Sequence, residues 1–484
     1  MPNGSVAAID LGATSGRVVV GRIASGAGAG SVSLEIVQRF PNNPVHHWEG
    51  SAEGLHWNLL EQYRAIRIGL RAALKSEGAL ASAAVDSWGL DYGLLRAGGE
   101  LAGNPFHYRD ERTARGVEAV SALVSDEELY AINGLQFMPI NSVYQLADDR
   151  LQGRLTAESR ALLIPDLITY WLTGQLVAER TNASTTGLLD VTTRAWATSL
   201  FSRLGLPTGL FPTLVDPGTS VGPLLPGLAA EVGASIPVHT VGSHDTASAV
   251  VGLPVTDESF AYVSCGTWAL VGVELEQPVL TEAGRLENFT NEGGVDGRIR
   301  YLKNIMGLWI QSESIRTWEH EGQTIDLPVL LAEAAALPGG SHFDANHPRL
   351  LAPGDMPARI AECCEEAGQP VPRTPAEFVR AINESLADAF AAAVHSAAAL
   401  SGKDVRVVHI AGGGSQNELL CQLAADRLGL PVVAGPVEAT ALGNVLVQAR
   451  AVGLVPADGS LESLRALVAA SAHTRRYEPR ARTS

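Results

Sequence analysis

The chain has 484 residues, of which 46% are hydrophobic and 18% are charged. This length suffices for two or three packed cores, and the hydrophobic content excludes an intrinsically disordered protein. The formal net charge of -17 repels phosphate backbones and anionic lipids, so we expect neither nucleic acid nor a membrane as a partner.

The N-terminal residues and the cysteines indicate the cellular compartment of the protein. The start, MPNGSVAAID, lacks the pattern of a signal peptide, and no apolar run reaches the roughly 18 residues of a membrane span. The four cysteines show neither zinc-site nor disulfide spacing. We therefore predict a cytoplasmic protein, for which a monomer and a small homo-oligomer both remain open.

Strands and helices alternate along the chain, which predicts an α/β fold. The chain opens with a strand over residues 5–10, a glycine turn and a returning strand, RVVVGRI. A helix is predicted over 58–75 and a strand–turn–strand over 81–96. Residues 260–273 repeat the opening pattern. Two such hairpins indicate either a duplicated α/β unit or two unrelated hairpins in one large protein.

The second half continues this alternation. A boundary between domains is expected near 245–256, where a strand meets a helix. A strand over 405–411 and helices over 416–429 and 438–453 follow. The basic, polar C-terminal tail, HTRRYEPRARTS, is expected to fray.

The turn after the first strand could bind phosphate. Its residues are Asp10, Leu11, Gly12, Ala13, Thr14, Ser15, Gly16 and Arg17. The glycines would let backbone amides approach phosphate oxygens, and Arg17 adds a fixed positive charge. Asp10 could hold magnesium through water, since Mg²⁺ prefers oxygen ligands. A plain hairpin turn is the alternative on these residues alone.

Two more glycine turns lie in the second half. Residues 412–417, GGGSQN, stand between a strand and a helix, where N–H groups could face phosphate or a nucleotide base. Alternatively, Ser415 caps that helix. The Gly266–Thr267 turn could also donate to phosphate. No lysine follows a glycine loop in the P-loop pattern, so any use of ATP is of a non-Walker kind.

A candidate general base lies in the segment SHDTAS, where a strand gives way to a helix. Asp245 could accept a proton from a sugar hydroxyl, or it could merely cap the helix. His244 is a second candidate base.

Carboxylates and aromatic rings, which suit sugars, surround Gly89 in DSWGLDYG. A strand end with a core Trp88 is the alternative there. Asn304, predicted at the mouth of an apolar helix, could bind hydroxyl groups or belong to a capped helix end.

These segments, in this order, resemble the FGGY family of carbohydrate kinases over about residues 5–455. The motifs that carry the resemblance are DLGATSGR, DSWGLDYGLL, FHYRDERT, GSHDTASAV, SCGTWAL, NFTNEGG, LKNIMGLW and AGGGSQN. The resemblance implies two ribonuclease-H-like domains of the actin/hexokinase type, over 1–245 and 246–455, with a catalytic cleft between them and an extension over 456–484. The motifs are most similar to the branch that transfers the ATP γ-phosphoryl group to O1 of L-rhamnulose, with ATP and Mg²⁺ required.

The resemblance also implies roles for single residues. Nucleotide contacts are implied for Ala13, Thr14, Ser15, Gly16, Arg17, Thr267 and Gly413. Sugar contacts are implied for Gly89, His244, Asp245, Thr246 and Asn304. Asp245 would be the proton acceptor. The branch commonly has a nucleotide-contacting Gln after GLW, but here Gln311 stands one place early and Ser312 takes its position.

Three alternatives stay open. The chain could be a kinase for another ketose, such as L-fuculose or L-xylulose. It could be a catalytically silent sugar-binding regulator, although Asp10, Arg17 and Asp245 are all present. It could also be an actin-like structural ATPase, against which the DSWGLDYG and HDT segments argue.

Overall fold

A computed structural model of the chain describes residues 3–24, 30–50, 52–455 and 459–480. The chain forms two compact units, each assembled from separate segments. The first consists of Met1–Thr256, Leu275–Tyr301 and Ala439–Ala472, and the second of Asp257–Glu274, Leu302–Glu438 and His473–Ser484. The domain limits given above from the sequence stay predictions.

The strands are β1 (Gly4–Leu11), β2 (Ser15–Ala24), β3 (Ser31–Pro41), β4 (Val45–Trp48), β5 (Glu53–His56), β6 (Ser82–Ser87), β7 (Tyr92–Leu95), β8 (Arg160–Leu163), β9 (Ala178–Glu179), β10 (Leu189–Asp190), β11 (Ala195–Trp196), β12 (Leu214–Val215), β13 (Ser220–Pro223), β14 (Pro237–His239), β15 (Phe260–Cys265), β16 (Trp268–Leu275), β17 (Thr290–Gly293), β18 (Ile299–Met306), β19 (Val407–Ala411), β20 (Val432–Ala434) and β21 (Arg475–Tyr477).

The α-helices are α1 (Leu59–Glu77), α2 (Thr113–Ser121), α3 (Asp126–Asn133), α4 (Ser142–Leu151), α5 (Ile164–Thr173), α6 (Arg180–Ala183), α7 (Thr198–Leu204), α8 (Pro226–Val232), α9 (Asp245–Val251), α10 (Glu282–Leu286), α11 (Trp309–His320), α12 (Leu327–Ala336), α13 (Met356–Glu366), α14 (Pro375–Ser401), α15 (Glu418–Leu428), α16 (Ala439–Ala451) and α17 (Leu461–Ser471). Short 3-10 helices span Val295–Gly297, Pro348–Leu350 and Gly413–Gln416.

The first unit is built on a six-stranded sheet in the order β13-β14-β6-β1-β2-β3. Strand β1 pairs antiparallel with β2 and parallel with β6. Residues 6–9 at the centre of β1 are fully buried, because both faces of the sheet are covered. The register places Asp10 opposite Arg17 on one side and opposite Asp86 on the other. Opposed residues share a face, so the three side chains form a row across the sheet.

Helix α16 lies close against α9 within this unit. A Cβ atom on Gly443 would come within 1.8 Å of the backbone oxygen of Ser248, and one on Gly252 within 2.1 Å of that of Ala439. Only glycine permits this approach at either position. The packing brings the polar residues of α16, above all Asn444, beside the carboxyl end of β6.

The sheet of the second unit follows the order β18-β16-β15-β19-β20-β21. Strand β15 pairs antiparallel with β16 and parallel with β19, as β1 pairs with β2 and β6. The repeated hairpin therefore opens the same three-stranded arrangement twice, which favours the duplicated α/β unit predicted from the sequence.

Most predicted elements lie where the sequence placed them, with three differences. The tail is not frayed throughout, since β21 pairs antiparallel with β20, although residues 481–484 lie outside the described residues. The strands predicted over 81–96 do not pair with each other, because β6 joins β1 and β7 joins β8. Asn304 lies within β18 rather than at the mouth of a helix. Among the described residues, no helix combines the length and apolar character needed to cross a membrane.

Candidate active site

A row of charged side chains stands at the carboxyl end of β1. Arg17 donates from Nε and Nη2 to Oδ2 of Asp10, at 2.9 and 2.6 Å. Asp86, on β6, is fully buried. Burial raises the pKa of Asp86 well above its usual range, and the charges of Asp10 and Asp245 raise it further. The row is therefore a place where negative charge accumulates beside one fixed cation.

Helix α16 supplies the donors for this buried acid. Asn444 Nδ2 donates to Asp86 Oδ2 at 2.5 Å, and Gln448 Nε2 donates to Asn444 Oδ1 at 2.6 Å. Gln448 also bonds the backbone oxygen of Ala7, at 3.1 Å, which ties the pair to β1. Asp86 Oδ1 is buried and finds no hydrogen-bond donor among the described residues. This oxygen therefore retains an unused acceptor position within the row.

The turn between β1 and β2 is the hairpin predicted from DLGATSGR. The N–H of Gly12 donates to the oxygen of Ser15 at 3.0 Å and closes the turn. Asn42 fixes the turn from outside, because its backbone N–H donates to the oxygen of Thr14 at 3.0 Å. A Cβ atom on Gly16 would lie 2.3 Å from the ring of Phe40, so glycine is required there. Ala13 and Ser15 are half-buried and Thr14 is exposed, which leaves the turn open to a ligand.

Asp245 is the first residue of α9, directly after the N-cap residue His244, which makes no side-chain capping bond. Thr246 Oγ1 donates to Asp245 Oδ1 at 3.1 Å. The Asp245 side chain keeps 29% of its surface exposed. Burial raises the pKa of the Asp245 carboxyl. Repulsion by Asp10 raises this pKa further, whereas His244 lowers it. A partly exposed carboxylate with a raised pKa suits a general base better than a helix cap.

The imidazole of His244 is held by two buried partners. Arg300 is fully buried, and its Nη2 lies 2.9 Å from His244 Nδ1 and 3.1 Å from Oε2 of Glu292. Nδ1 also lies 3.2 Å from Oε2 of Glu292, so a guanidinium donor and a carboxylate acceptor both face this nitrogen. Nε2 faces Asp245 Oδ1 at 3.5 Å. The ring of His244 is therefore held between these buried partners and Asp245.

Glu179 anchors the backbone before Asp245, a role that no motif of the sequence indicates. Its carboxylate is fully buried and accepts from the N–H groups of Thr181, Asn182 and Ser243, at 2.9, 3.2 and 3.0 Å. The hydroxyls of Thr181 and Ser243 add bonds of 2.6 and 2.7 Å. One carboxylate thus joins α6 to the loop that carries Asp245.

The Gly89 turn lies beside this loop. A Cβ atom on Gly89 would lie 2.9 Å from Thr185 Oγ1, which in turn accepts from the N–H of Leu90 at 3.1 Å. Leu90 has a φ of 78°, a left-handed conformation that is uncommon for leucine and often marks functional sites. Strand β6 is bridged to His244 through Ser87, so the turn and the candidate base are neighbours.

Asp91 is a structural acid rather than a sugar ligand. It is fully buried and accepts from Nε1 of Trp57 and of Trp88, at 2.5 and 3.2 Å, and from Nε2 of Gln145 at 2.9 Å. Burial nevertheless raises its pKa to about 6. Trp88 is also buried, so for this pair the alternative of a core strand end is correct.

The second unit brings together two of its predicted nucleotide residues. Thr267 lies in the turn between β15 and β16, and Gly413 follows β19, the parallel neighbour of β15. A Cβ atom on Gly412 would lie 2.8 Å from the oxygen of Cys265, whereas one on Gly413 meets no atom within 4 Å. The glycine loop therefore packs on the end of β15 and leaves Gly413 open. Ser415 does not cap α15.

Asn417 caps this helix instead, since its Oδ1 accepts from the N–H of Leu420 at 3.1 Å. Asn304 is half-buried on β18. On α11, Gln311 is buried and Ser312 is exposed. Gln311 Oε1 finds no hydrogen-bond partner among the described residues.

The chain matches known proteins over nearly its full length. The N-terminal domain of the FGGY family of carbohydrate kinases matches residues 5–252, and the C-terminal domain of the same family matches residues 261–452. The chain belongs to the FGGY family of carbohydrate kinases. These matches confirm the family membership that the sequence motifs predicted.

Two rhamnulokinases are similar to this FGGY chain. That of Bacteroides thetaiotaomicron is 39% identical, over 98% of this chain and 95% of the relative. That of Pectobacterium carotovorum is 40% identical, over 99% of this chain and 93% of the relative.

Solved structures confirm the predicted two-domain α/β fold. Ligand-bound xylulose kinase from Lactobacillus acidophilus has a TM-score of 0.77 at 17% identity, covering 98% of this chain and 94% of the other. Glycerol kinase from Plasmodium falciparum with ADP has a TM-score of 0.75 at 16% identity, covering 98% and 94%.

Proposed function

We propose that this chain is an ATP-dependent kinase that phosphorylates O1 of L-rhamnulose, yielding L-rhamnulose 1-phosphate and ADP in the breakdown of L-rhamnose. Identity of about 40% to rhamnulokinases over nearly the whole chain supports the substrate. The geometry of Asp245 supports the reaction, because a partly exposed carboxylate stands beside the acidic row at the end of β1. The four unpaired cysteines suit the cytoplasmic location expected for such an enzyme.

The proton leaves the sugar through Asp245. A hydroxyl that attacks phosphorus must lose its proton, and a positioned carboxylate accepts it. We assign the proton acceptor to Asp245 rather than to His244, because Nδ1 of His244 is enclosed by Arg300 and Glu292. Nε2 of His244 faces Asp245 Oδ1 at 3.5 Å and is placed to bond a sugar oxygen or the carboxylate. We assign Gly89 and Thr246 as sugar contacts of the first unit and Asn304 as a sugar contact of the second unit.

The phosphoryl group is held by the first turn. The backbone of Ala13, Thr14, Ser15 and Gly16 and the guanidinium of Arg17 are the proposed phosphate contacts, and positioning of this kind accounts for most catalysis of phosphoryl transfer. Thr267 and Gly413 are the proposed nucleotide contacts of the second unit. Gln311 is a further candidate there.

The acidic row fits a divalent cation in its donor chemistry. Asp10 and Asp86 offer carboxylate oxygens, of which Asp86 Oδ1 has no donor among the described residues. Mg²⁺ prefers such ligands and keeps several waters, as proposed for Asp10. When bound, Mg²⁺ would neutralise charge on the phosphates of ATP. The hydrogen bond from Asn444 holds the carboxylate of Asp86 in the row beside Asp10.

The test is turnover of the Asp245→Asn variant. We measure ADP release with Mg-ATP and a ketose panel of L-rhamnulose, L-fuculose, L-xylulose, D-xylulose and D-ribulose, and without sugar. The variant should lose about 10²–10⁴-fold in kcat, because it lacks the proton acceptor but keeps the shape of the side chain. Asp404→Asn, at a side chain 66% exposed, is the matched control. Near-parental turnover of Asp245→Asn would refute the proposed base.

The panel separates the other possibilities. Preference of the parent for L-fuculose or L-xylulose would keep the kinase and change its substrate. ADP release that does not depend on sugar would support a structural ATPase. A folded protein without any turnover would support a silent sugar-binding regulator.

A further inference from the structure

The hairpin of β4 and β5 carries a second group of chemically active side chains. Val45 stands opposite His56 and His47 opposite Gly54 in the antiparallel register. Because side chains alternate along a strand, His47 and His56 lie diagonally on one face, and Glu49 follows His47 on that face. One ligand atom of each of the three residues lies within 4.8 Å of the other two.

The ring of His56 packs directly against Gly54, where only glycine leaves room for it. A Cβ atom on Gly54 would lie 2.6 Å from Nε2 of His56. Any other residue opposite His47 would therefore block the approach to that nitrogen. The rings of His47 and His56 stack at 4.1 Å between centroids, and Phe106 packs against His56 at 4.3 Å. The buried ring of His56 is thus held, whereas His47 is exposed and can rotate.

The hydrogen bonds of His56 present a lone pair to the group. Its side chain is 2% exposed, and its Nδ1 lies 3.0 Å from the backbone oxygen of Asn104. A carbonyl only accepts, so Nδ1 carries the proton and Nε2 the lone pair. Nε2 faces Oε1 of Glu49 at 3.1 Å without making a hydrogen bond. Two acceptors at this distance repel each other unless a cation or a proton lies near both.

Neighbouring charges orient Glu49 without occupying Oε1. Arg154 Nη2 lies 3.4 Å from the other oxygen, Oε2. The charge of Arg154 is itself shared with Asp148 and Asp149, at 3.4 and 3.3 Å. Partners that hold the far side of each ligand are typical of metal sites. The backbone oxygen of Asn104 serves His56 in the same way.

We propose that His47, Glu49 and His56 bind a divalent transition metal ion, with Zn²⁺ as the best match for two imidazole nitrogens and one carboxylate oxygen. Three protein ligands leave a fourth position open to water, as in exchangeable zinc sites. To bind the ion, the exposed ring of His47 would turn out of its stack on His56. The ion would clip β4 to the residues that follow it and stabilise the hairpin.

The experiment titrates Zn²⁺ into metal-free, full-length protein in competition with a chromogenic chelator. We expect one ion per chain at the tightest site, and about tenfold or greater weakening in each of His47→Ala and Glu49→Gln. Both residues are exposed, so the variants should fold. The thermal midpoint of the parent should rise with Zn²⁺, and that of the variants should not.

His46→Ala is the matched control, because alternation places His46 on the opposite face of the hairpin. The chain has 12 histidines, so this comparison separates the site from scattered surface binding. His56→Gln is the fourth variant and should also lose the tight ion. The proposal is overturned if the parent binds no stoichiometric Zn²⁺, or if His46→Ala and His47→Ala bind it equally.

Discussion

Glu179 offers the sharpest test of how the candidate base is positioned. Its carboxylate accepts from three buried backbone N–H groups and two hydroxyls, and one of those N–H groups belongs to Ser243, two residues before Asp245. We expect Glu179→Ala and Glu179→Gln to lower both stability and turnover, although Glu179 touches no reacting atom in the proposed mechanism.

The magnitudes follow from the hydrogen bonds. A buried donor that loses its acceptor costs about 1–3 kcal/mol, so Glu179→Ala, which strands three backbone donors, should cost about 3–9 kcal/mol. In Glu179→Gln, the amide oxygen can take the place of Oε2, which accepts four of the five hydrogen bonds. The NH₂ group then replaces Oε1, so only the N–H of Thr181 loses its acceptor, and the variant should lose about 1–3 kcal/mol of unfolding free energy. A whole domain is stable by only about 5–15 kcal/mol, which makes Gln the working variant.

The assay pairs urea unfolding with steady-state kinetics. For Glu179→Gln we expect a lower unfolding midpoint and a fall in kcat of about tenfold, with the KM for ATP nearly unchanged, because only the loop of Asp245 is displaced. Glu127→Gln, at a side chain 74% exposed, is the control. Parental kcat together with a lowered midpoint would show that Glu179 serves stability alone. Parental values of both would refute the positioning argument.

Two further predictions concern buried polar groups of the same unit. Asn444→Ala removes the 2.5 Å bond to Asp86 and should cost about 1.5–3 kcal/mol of unfolding free energy, measured in urea, with reduced kcat; an unchanged midpoint would contradict this. Asp91 has a pKa of about 6 in the folded chain, above its ordinary value near 4, so the folded state binds its proton more tightly. Parental stability from this group is therefore full below about pH 4 and falls by about 3 kcal/mol by pH 6, a slope that Asp91→Asn should remove in unfolding curves taken from pH 4 to 7.

Local patterns predicted the parts of the fold that local physics determines. The hairpin of DLGATSGR and the helix over 58–75 depend on glycine turns and on apolar periodicity, and both lie where expected. Asn304 was misplaced because strand β18 continues to Met306, and the helix that follows begins only at Trp309. The cap of α15 was misplaced by two residues, because Ser415 and Asn417 are both good capping residues.

The supporting partners of the site could not be predicted because they are distant in sequence. Asn444 lies 358 residues from Asp86, and Arg300 lies 56 residues from His244. Nothing near Glu179 distinguishes it from an ordinary acidic residue at a helix start. Such contacts depend on the register of strands and the packing of helices, which a single sequence does not reveal. Motifs therefore indicated the reactive groups but not the residues that hold them.

The return of residues 439–472 to the first unit bears on the order in which the chain becomes active during synthesis. Helices α16 and α17 fill a core with β1 and β2, where Val6, Val19, Val445 and Leu464 are all buried. The nascent N-terminal segment must keep that apolar face and the carboxylate of Asp86 uncovered until residues 439–472 leave the ribosome. A chain interrupted before Ala439 would lack Asn444 and would leave the apolar face of the sheet exposed to solvent. The core of the first unit and the donor to Asp86 therefore form only after residues 302–438 of the second unit have been synthesised.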